Sequence, residues 1–387
     1  CYTKGIQKVA PQCKIEFIRS GITEPHIYER LTVLQDVFRE KYGQYPDEEW
    51  LLNLSSGTPQ MKSVMSLIGL DYPQVKAIQV FSPEKGSNNK SHPEETPGLV
   101  EMLDCNDDND PAAPNRCKEA KLSLLKKHSV KWQIISLVEN YEYEGALQLL
   151  RQNRHLFSDI SEKLLRHAVC RRNLMWKDAN KIISSYKGSP LISKAGDFEE
   201  FFRVMELRQR KKQLSEFIIK ISPILKELGE MYLKNISGFD INLCGQKRRD
   251  IFRINRDQME KSYPGMLSFI EKEIGNTLKS GPLYYNIMVY MCEYFREYEH
   301  KNDKKHNQLT DIFLRLRNVE EKVRNLVAHE ITNINEEKIE NFTAGNVGKG
   351  LKSKDILRLL HEAVKIVRGQ DILWDYDELN NSIIDSL

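Results

Sequence analysis

The sequence has no apolar run of the ~18–20 residues that a membrane-spanning helix needs. Its richest stretch, Leu283 to Tyr298, is interrupted by Asn286, Glu293 and Arg296, so a transmembrane protein is not expected. The opening Cys1-Tyr2-Thr3-Lys4 leads into mixed sequence with neither an apolar segment nor a cleavage site, so no secretory leader is expected. With no initiator Met, the sequence reads as a fragment. Cysteine is sparse. The seven residues (Cys1, Cys13, Cys105, Cys117, Cys170, Cys244, Cys292) are odd in number and scattered, without a CxxC pair. That pattern argues against a disulfide framework or a zinc module and fits a reducing cytoplasm. There is also no G-x-G-x-x-G dinucleotide fingerprint. One run, Gly345-Asn-Val-Gly-Lys-Gly-Leu351, superficially suggests a phosphate-binding loop. It places Leu351 and Lys352 where Lys and Ser/Thr are required, and no strand precedes it. It reads as a plain loop.

What is present is ordinary globular composition. The chain has 387 residues, 40% hydrophobic and 29% charged, which suggests two or three soluble domains. The net charge of +3 conceals an asymmetry: residues 1–115 carry −6 and the remainder +9. A basic C-terminal part suits a polyanion, although a solvated Lys/Arg-rich helical surface looks the same.

The first 80 residues alternate between two periods. Lys14-Ile-Glu-Phe-Ile18 reads as a strand. A helix then starts at Glu24-Pro25, with apolar residues at Ile27, Leu31, Leu34, Phe38 and Tyr42, and stops at Gly43. Trp50-Leu-Leu-Asn-Leu54 reads as a strand buried on both faces, Thr58-Pro59 opens a helix, and Val75 to Phe81 reads as a third strand. Strands separated by helices imply a parallel sheet with helices on its faces. Residues 82–118, rich in Pro and Asn and carrying an acidic run from Asp104 to Asp110, read as a long, partly disordered loop. Beyond about Lys118 every segment carries 3–4 spacing and none a strand signature. Ser353 is the expected N-cap and Gly369 the expected C-cap of a late helix. The expected fold class is α/β followed by all-α.

Two motifs carry chemistry. The turn Asn53-Leu-Ser-Ser-Gly-Thr-Pro-Gln-Met61 follows a central strand, at the end of the sheet where ligands bind. Gly57 permits close backbone approach, and the helix starting near Thr58 aims free N–H groups and partial positive charge outward. Ser55, Ser56, Thr58 and Gln60 add polar side chains suited to phosphates and base edges. An ordinary strand–turn–helix connection uses the same residue types.

The second motif lies in one expected helix, Leu309 to Ile331, whose stripe is Leu309, Ile312, Phe313, Leu316, Val319, Val323, Leu326 and Val327. It contains Arg324-Asn325-Leu326-Val327-Ala328-His329. Regular α geometry puts Arg324 and His329 about 140° apart and ~7.5 Å along the axis. Asn325 and His329 share a face, so Asn325 could set the imidazole tautomer. Arg and His together suit metal-free RNA cleavage. The 2′-hydroxyl attacks the adjacent phosphate, His329 moves protons, and Arg324 stabilises charge on phosphorus. The angular offset favours a composite site built by two copies across a two-fold axis. A solvent-reaching arginine with a histidine at a helix end produces the same pattern by chance.

Taken together, Asn53 to Met61 after a buried strand resembles the signature of CARF domains, Rossmann-like sensors of cyclic oligoadenylate. Arg324-Asn325-x-x-x-His329 resembles the R-x4–6-H motif of HEPN ribonucleases. The order resembles that of the CRISPR-associated type III-A ancillary ribonucleases and covers essentially the whole chain. The resemblance implies a CARF domain over 1–115, a helical connector over 116–209 and a HEPN domain over 210–387. It also implies that the family's first strand, with its Gly/Thr-rich turn, is missing here. It assigns catalysis to Arg324, Asn325 and His329, and activator binding to Asn53, Ser55, Ser56, Gly57, Thr58 and Gln60, with Thr58 the first candidate to position an activator 2′-hydroxyl. It further implies a cytoplasmic homodimer without metal or cofactor. This homodimer cuts single-stranded RNA, engages neither DNA nor membrane, and is switched on allosterically by cyclic tetra- or hexa-adenylate through the connector. Two other readings stay open: a non-catalytic sensor of cyclic oligoadenylate, and a ring nuclease that degrades only the activator. The acidic tail from Asp371 to Leu387, with Trp374 and Tyr376, does not resemble a DNA reader.

Overall fold

The computed structural model describes residues 2–72, 74–81, 112, 114–184, 196–236, 238–249, 251–329, 334–344 and 349–387. The chain divides into two compact units, Cys1–Lys131 and Trp132–Leu387.

In the first unit, α1 is Tyr2–Val9 and a 3-10 turn, Tyr28–Leu31, runs into α2, Thr32–Gln44. β1 (Leu51–Asn53) leads to α3 (Pro59–Asp71), β2 (Lys76–Val80) and β3 (Cys117–Glu119). β1 and β2 pair in parallel, as the strand–helix–strand pattern requires. β3, unforeseen because its three residues Cys-Lys-Glu carry no apolar alternation, pairs antiparallel with β2. The sheet order is β1-β2-β3. Leu31, Phe38, Leu52, Leu54, Val64, Ile68, Val75 and Ala77 form the core. An aromatic cluster of Phe38, Tyr42, Trp50 and Tyr72 closes one end.

Two expectations fail here. Lys14 to Ile18 forms no strand, and Phe17 is 68% exposed. An alternating segment becomes a strand only when it pairs with another, and among the described residues Lys14 to Ile18 pairs with none. β1 is buried on one face only: Leu52 is 5% exposed and Leu51 63%, because Leu52 sits in the core with Phe38 of α2 and Val64 and Ile68 of α3, while its neighbour Leu51 points to the opposite face. The expected disorder of 82–118 falls mostly on residues outside those described.

α4, Ser123–Glu139, crosses the boundary between the units. In the second unit follow α5 (Tyr143–Gln152), α6 (Asp159–Arg172), α7 (Trp176–Ile183), α8 (Asp197–Arg210) and α9 (Leu214–Lys234). Next come β4 (Gly245–Arg248), β5 (Ile251–Ile254), α10 (Arg256–Ser262), α11 (Pro264–Ile274), β6 (Gly281–Pro282) and α12 (Tyr285–Tyr294). The last elements are α13 (Lys304–Asn318), a π-helical stretch Val319–Arg324, α14 (Asn325–His329), α15 (Glu336–Thr343), α16 (Ser353–Arg368) and α17 (Tyr376–Ser386). α9, α12, α13 and α16 pack on one another as the centre of this unit. The helical expectation holds, but β4, β5 and β6 form a small antiparallel sheet that it missed. Gly369 caps α16 in the left-handed region at φ 73°, as its position suggests. The N-cap of α16 is Lys352 instead of Ser353. Ser353 is the first helical residue, and its N–H donates to Glu336 Oε2 at 2.8 Å.

Candidate functional site

The turn after β1 is held by its own side chains. Asn53 Oδ1 accepts from the Ser55 N–H at 2.8 Å, and Ser55 Oγ accepts from the Val80 N–H at 2.6 Å. Thr58 is the N-cap of α3: its Oγ1 accepts from the Met61 N–H at 3.2 Å and donates to the Pro25 carbonyl at 2.8 Å. Gly57 lies at φ +93°, and a Cβ there would stand 3.3 Å from Met61 Cβ and Sδ. The turn therefore brings all six expected residues together but divides their work. Asn53, Ser55 and Thr58 build the frame. Ser56 and Gly57 are exposed, and the Gln60 side chain makes no hydrogen bond among the described residues. These three, with the N-terminal amides of α3, are what the turn offers a ligand. The Thr58 hydroxyl has donated its proton and retains one lone pair.

In the second unit the expected stripe is buried from Leu309 through Val323. The regular helix is not: the ladder widens to π geometry over Val319–Arg324, directly before Asn325. Such bulges insert an extra residue into a turn and frequently mark functional sites. The arrangement ends on Arg324 through a chain of contacts. Arg317 stacks on the Tyr290 ring at 4.5 Å and donates to the Tyr290 hydroxyl and to Glu321 Oε1, both at 2.7 Å. Asn325 Nδ2 donates to the Glu321 carbonyl at 2.7 Å, and Asn325 Oδ1 accepts from Arg324 Nη1 at 3.2 Å. Asn325 thus orients the guanidinium of Arg324. The backbone of His329 closes α14. Its side chain lies outside the described residues, and with it the expected Asn325–His329 contact.

Sequence reasoning missed the acidic side of this site. Glu320 is half-buried against α9, where the Ser222 hydroxyl donates to its Oε1 at 3.4 Å. Burial raises its carboxyl above the usual range, and the charge of Arg324 opposes that rise. The residue beside Ser222 is Pro223, inside α9, so the two helices that meet here are both irregular. A period of four from Glu320 to Arg324 was the available signal. Because the folded carboxyl titrates higher than the unfolded one, its contribution to stability is present at low pH. It is lost as pH rises through the raised value. Glu320→Gln removes that loss. The variant is expected to gain in Tm relative to the parent as pH is raised from about 4 to 8, and parallel curves would contradict it.

Three family models match successive parts of the chain: the Cas_Csm6 CARF domain over residues 14–117, the CRISPR-associated protein Csm6 6H domain over 120–172, and the Cas_Csm6 HEPN domain over 178–384. The HEPN match alone spans more than half of the chain and contains Arg324, Asn325 and His329. The chain belongs to the Csm6 family. It is a CRISPR-system endoribonuclease carrying a CARF domain, a helical 6H connector and a HEPN domain in that order. The chain is 27% identical to CRISPR system endoribonuclease Csm6 of Mycobacterium tuberculosis over 397 residues, covering 99% of this chain and 86% of that one. It is 23% identical to Csm6 of Enterococcus italicus over 348 residues, covering 88% of this chain and 77% of that relative. The solved structure of Enterococcus italicus Csm6 bound to cyclic hexa-2′-fluoro-hexa-dAMP shares the fold, with TM-score 0.63, 20% identity, and 100% and 87% coverage.

Proposed function

We propose that the chain cleaves single-stranded RNA without a metal and acts as a homodimer in the cytoplasm. Residues 1–115 sense a cyclic oligoadenylate, 116–209 connect, and 210–387 cut. The observation that carries the reading is the Tyr290–Arg317–Glu321–Asn325–Arg324 chain, which fixes a permanently charged fork one turn before His329. A guanidinium so held matches two oxygens of a phosphate and stabilises the charge that develops there. His329 takes the proton of the attacking 2′-hydroxyl or returns one to the leaving 5′-oxygen. One helix presents one such pair, and a second copy across a two-fold axis supplies the complementary groups.

On the sensing side, Ser56, Gln60 and the amides around Gly57 receive the phosphates and base edges of cyclic tetra- or hexa-adenylate. Asn53, Ser55 and Thr58 hold the turn that presents them. The ligand in the Enterococcus italicus structure is a cyclic hexanucleotide analogue, which supports this class of activator. Switching requires that the activator bind more tightly to the dimer arrangement in which the two HEPN helices are correctly spaced.

The experiment is cleavage of a fluorogenic single-stranded RNA in EDTA, titrated with cyclic tetra- against hexa-adenylate. Products ending in 2′,3′-cyclic phosphate, released faster as one ring is added, are expected. Gly57→Val, which forces a β-branched residue to φ +93°, is expected to shift the activation midpoint at least about tenfold with fully activated turnover retained. Activity abolished by EDTA, or unaltered by either ring, would contradict the reading.

A further inference from the structure

The arginines of the second unit are mostly paired with carboxylates: Arg171 with Glu200, Arg203 with Glu206, Arg256 with Glu271, Arg296 with Asp311, and Arg368 with Glu199. The small sheet breaks this rule. Arg248, Arg249 and Arg253 have no ion pair among the described residues, and all three are exposed.

Their placement follows from the register. Gln246 lies opposite Arg253, and Arg248 opposite Ile251. Phe252 and Ile254, each 3% exposed, face inward. Alternation therefore sends Gln246, Arg248, Ile251 and Arg253 to the outer face. Arg248 and Arg253 are diagonal neighbours, about 7–8 Å apart between Cα atoms. With the Gln246 amide turned so that its oxygen faces Arg248, it accepts from Nε at 3.2 Å and Nη2 at 2.8 Å, a contact that leaves the guanidinium charge un-neutralised. Arg249 sits in the hairpin turn at φ 47°, a strained conformation for a side chain of its size. Gly245 fixes how closely the strands approach, since a Cβ there would stand 2.0 Å from the Arg253 carbonyl oxygen. On the third strand Pro282 lies opposite Arg253, and two residues on is Tyr284, 63% exposed.

Like charges set diagonally on one face of a strand pair cost stability, and a polyanion offsets that cost. An extended polyanion bearing planar bases also uses the exposed tyrosine: cationic side chains follow the backbone, and an aromatic ring stacks on a base. We propose that the outer face of β4–β5, with Tyr284 beside it, is a binding surface for single-stranded RNA away from the cleaved bond. The proposal deepens the ribonuclease reading and rests on it for the choice of polyanion. β6 runs directly into α12, which packs on α9 and α13. The surface is thus joined to the helices that carry Arg324.

The test uses the full chain with Arg248→Ala and Arg253→Ala combined, the lysine pair Arg248→Lys and Arg253→Lys as control, and Tyr284→Ala. Binding of a labelled 20-nucleotide RNA with 2′-O-methyl riboses, which lacks the attacking hydroxyl, is read by fluorescence anisotropy as salt is raised, independently of cleavage. The alanine pair is expected to weaken binding at least about tenfold and to lower the slope of log K against log salt by about 1.4, two phosphates at ~0.7 each. The lysine pair should keep the slope, and Tyr284→Ala should weaken binding with the slope unchanged. In cleavage assays KM rises and kcat is kept. Unchanged affinity and slope in the alanine pair would overturn the proposal, as would competition by poly-glutamate as effective as by RNA. Failure to cut any RNA would instead count against the ribonuclease reading, and the anisotropy result would still decide this one.

Discussion

His329→Ala is expected to lower RNA cleavage by about 10²–10⁴-fold, the usual worth of a positioned acid or base. The thermal unfolding curve should be unchanged, which separates a loss of chemistry from a loss of folded protein. Arg324→Ala is expected to cost about 10²–10³-fold, by analogy with removal of one donor from a charge-stabilising site. The two losses arise from a single transition state, so the double variant should fall little below the worse single one. Arg324→Lys separates charge from geometry. A lysine keeps the charge but presents a point donor where Asn325 Oδ1 orients a fork at 3.2 Å. Turnover should stay well below the parent's, and full turnover would remove the two-oxygen role. Measurement of kcat at saturating RNA with activator present decides among these outcomes.

The second large effect is on stability. Arg171 and Glu200 are 2% and 1% exposed in their side chains, bonded through Nε and Nη2 of the guanidinium, and the central guanidinium carbon of Arg171 lies 4.1 Å from the centre of the Trp374 ring. His167 continues the network. Burial holds its pKa down to about 4, so the neutral ring donates from Nδ1 to the Ala179 carbonyl at 2.8 Å and faces Arg171 with Nε2. Glu200→Ala leaves the guanidinium charged, buried and without its carboxylate, which costs about 3–5 kcal/mol. For a unit of this size that corresponds to a Tm lower by roughly 6–20 °C. Replacing both partners with apolar residues, Arg171→Met with Glu200→Leu, should recover most of it. Calorimetry of the three variants checks the claim, and an unshifted Glu200→Ala would contradict it.

The parts of this molecule written in strong periodic signals were legible from sequence. The Leu309–Val323 stripe is buried as its spacing demands, β1 and β2 stand where the apolar runs are, and the Ser-Ser-Gly-Thr turn links β1 to α3. Short or charged elements were not. Gly245–Arg248 and Gly281–Pro282 offer almost no apolar residue to alternate, so β4 and β6 leave no period-two trace. The π stretch was hidden for a different reason. Val319 and Val323 are four apart and satisfy a regular helix equally well, while the widened ladder lies in the backbone hydrogen bonds. In the site, residue types pointed to Arg324 and His329. The residues that hold Arg324 in place, Arg317 and Tyr290 among them, come from a different turn and a different helix. Proximity of that kind is set by packing and has no signature in spacing. Thr58 carries a role that the sequence did not show: its hydroxyl caps α3 and donates to the Pro25 carbonyl.

The central claim is that one chain carries half of a cleavage site. The most direct measurement follows specific activity and oligomeric state together, by cleavage assay and sedimentation velocity on the same samples, as protein is diluted at saturating activator. The account predicts that activity per chain falls in step with the dimer fraction. A monomer that cuts RNA at the undiluted rate would contradict it.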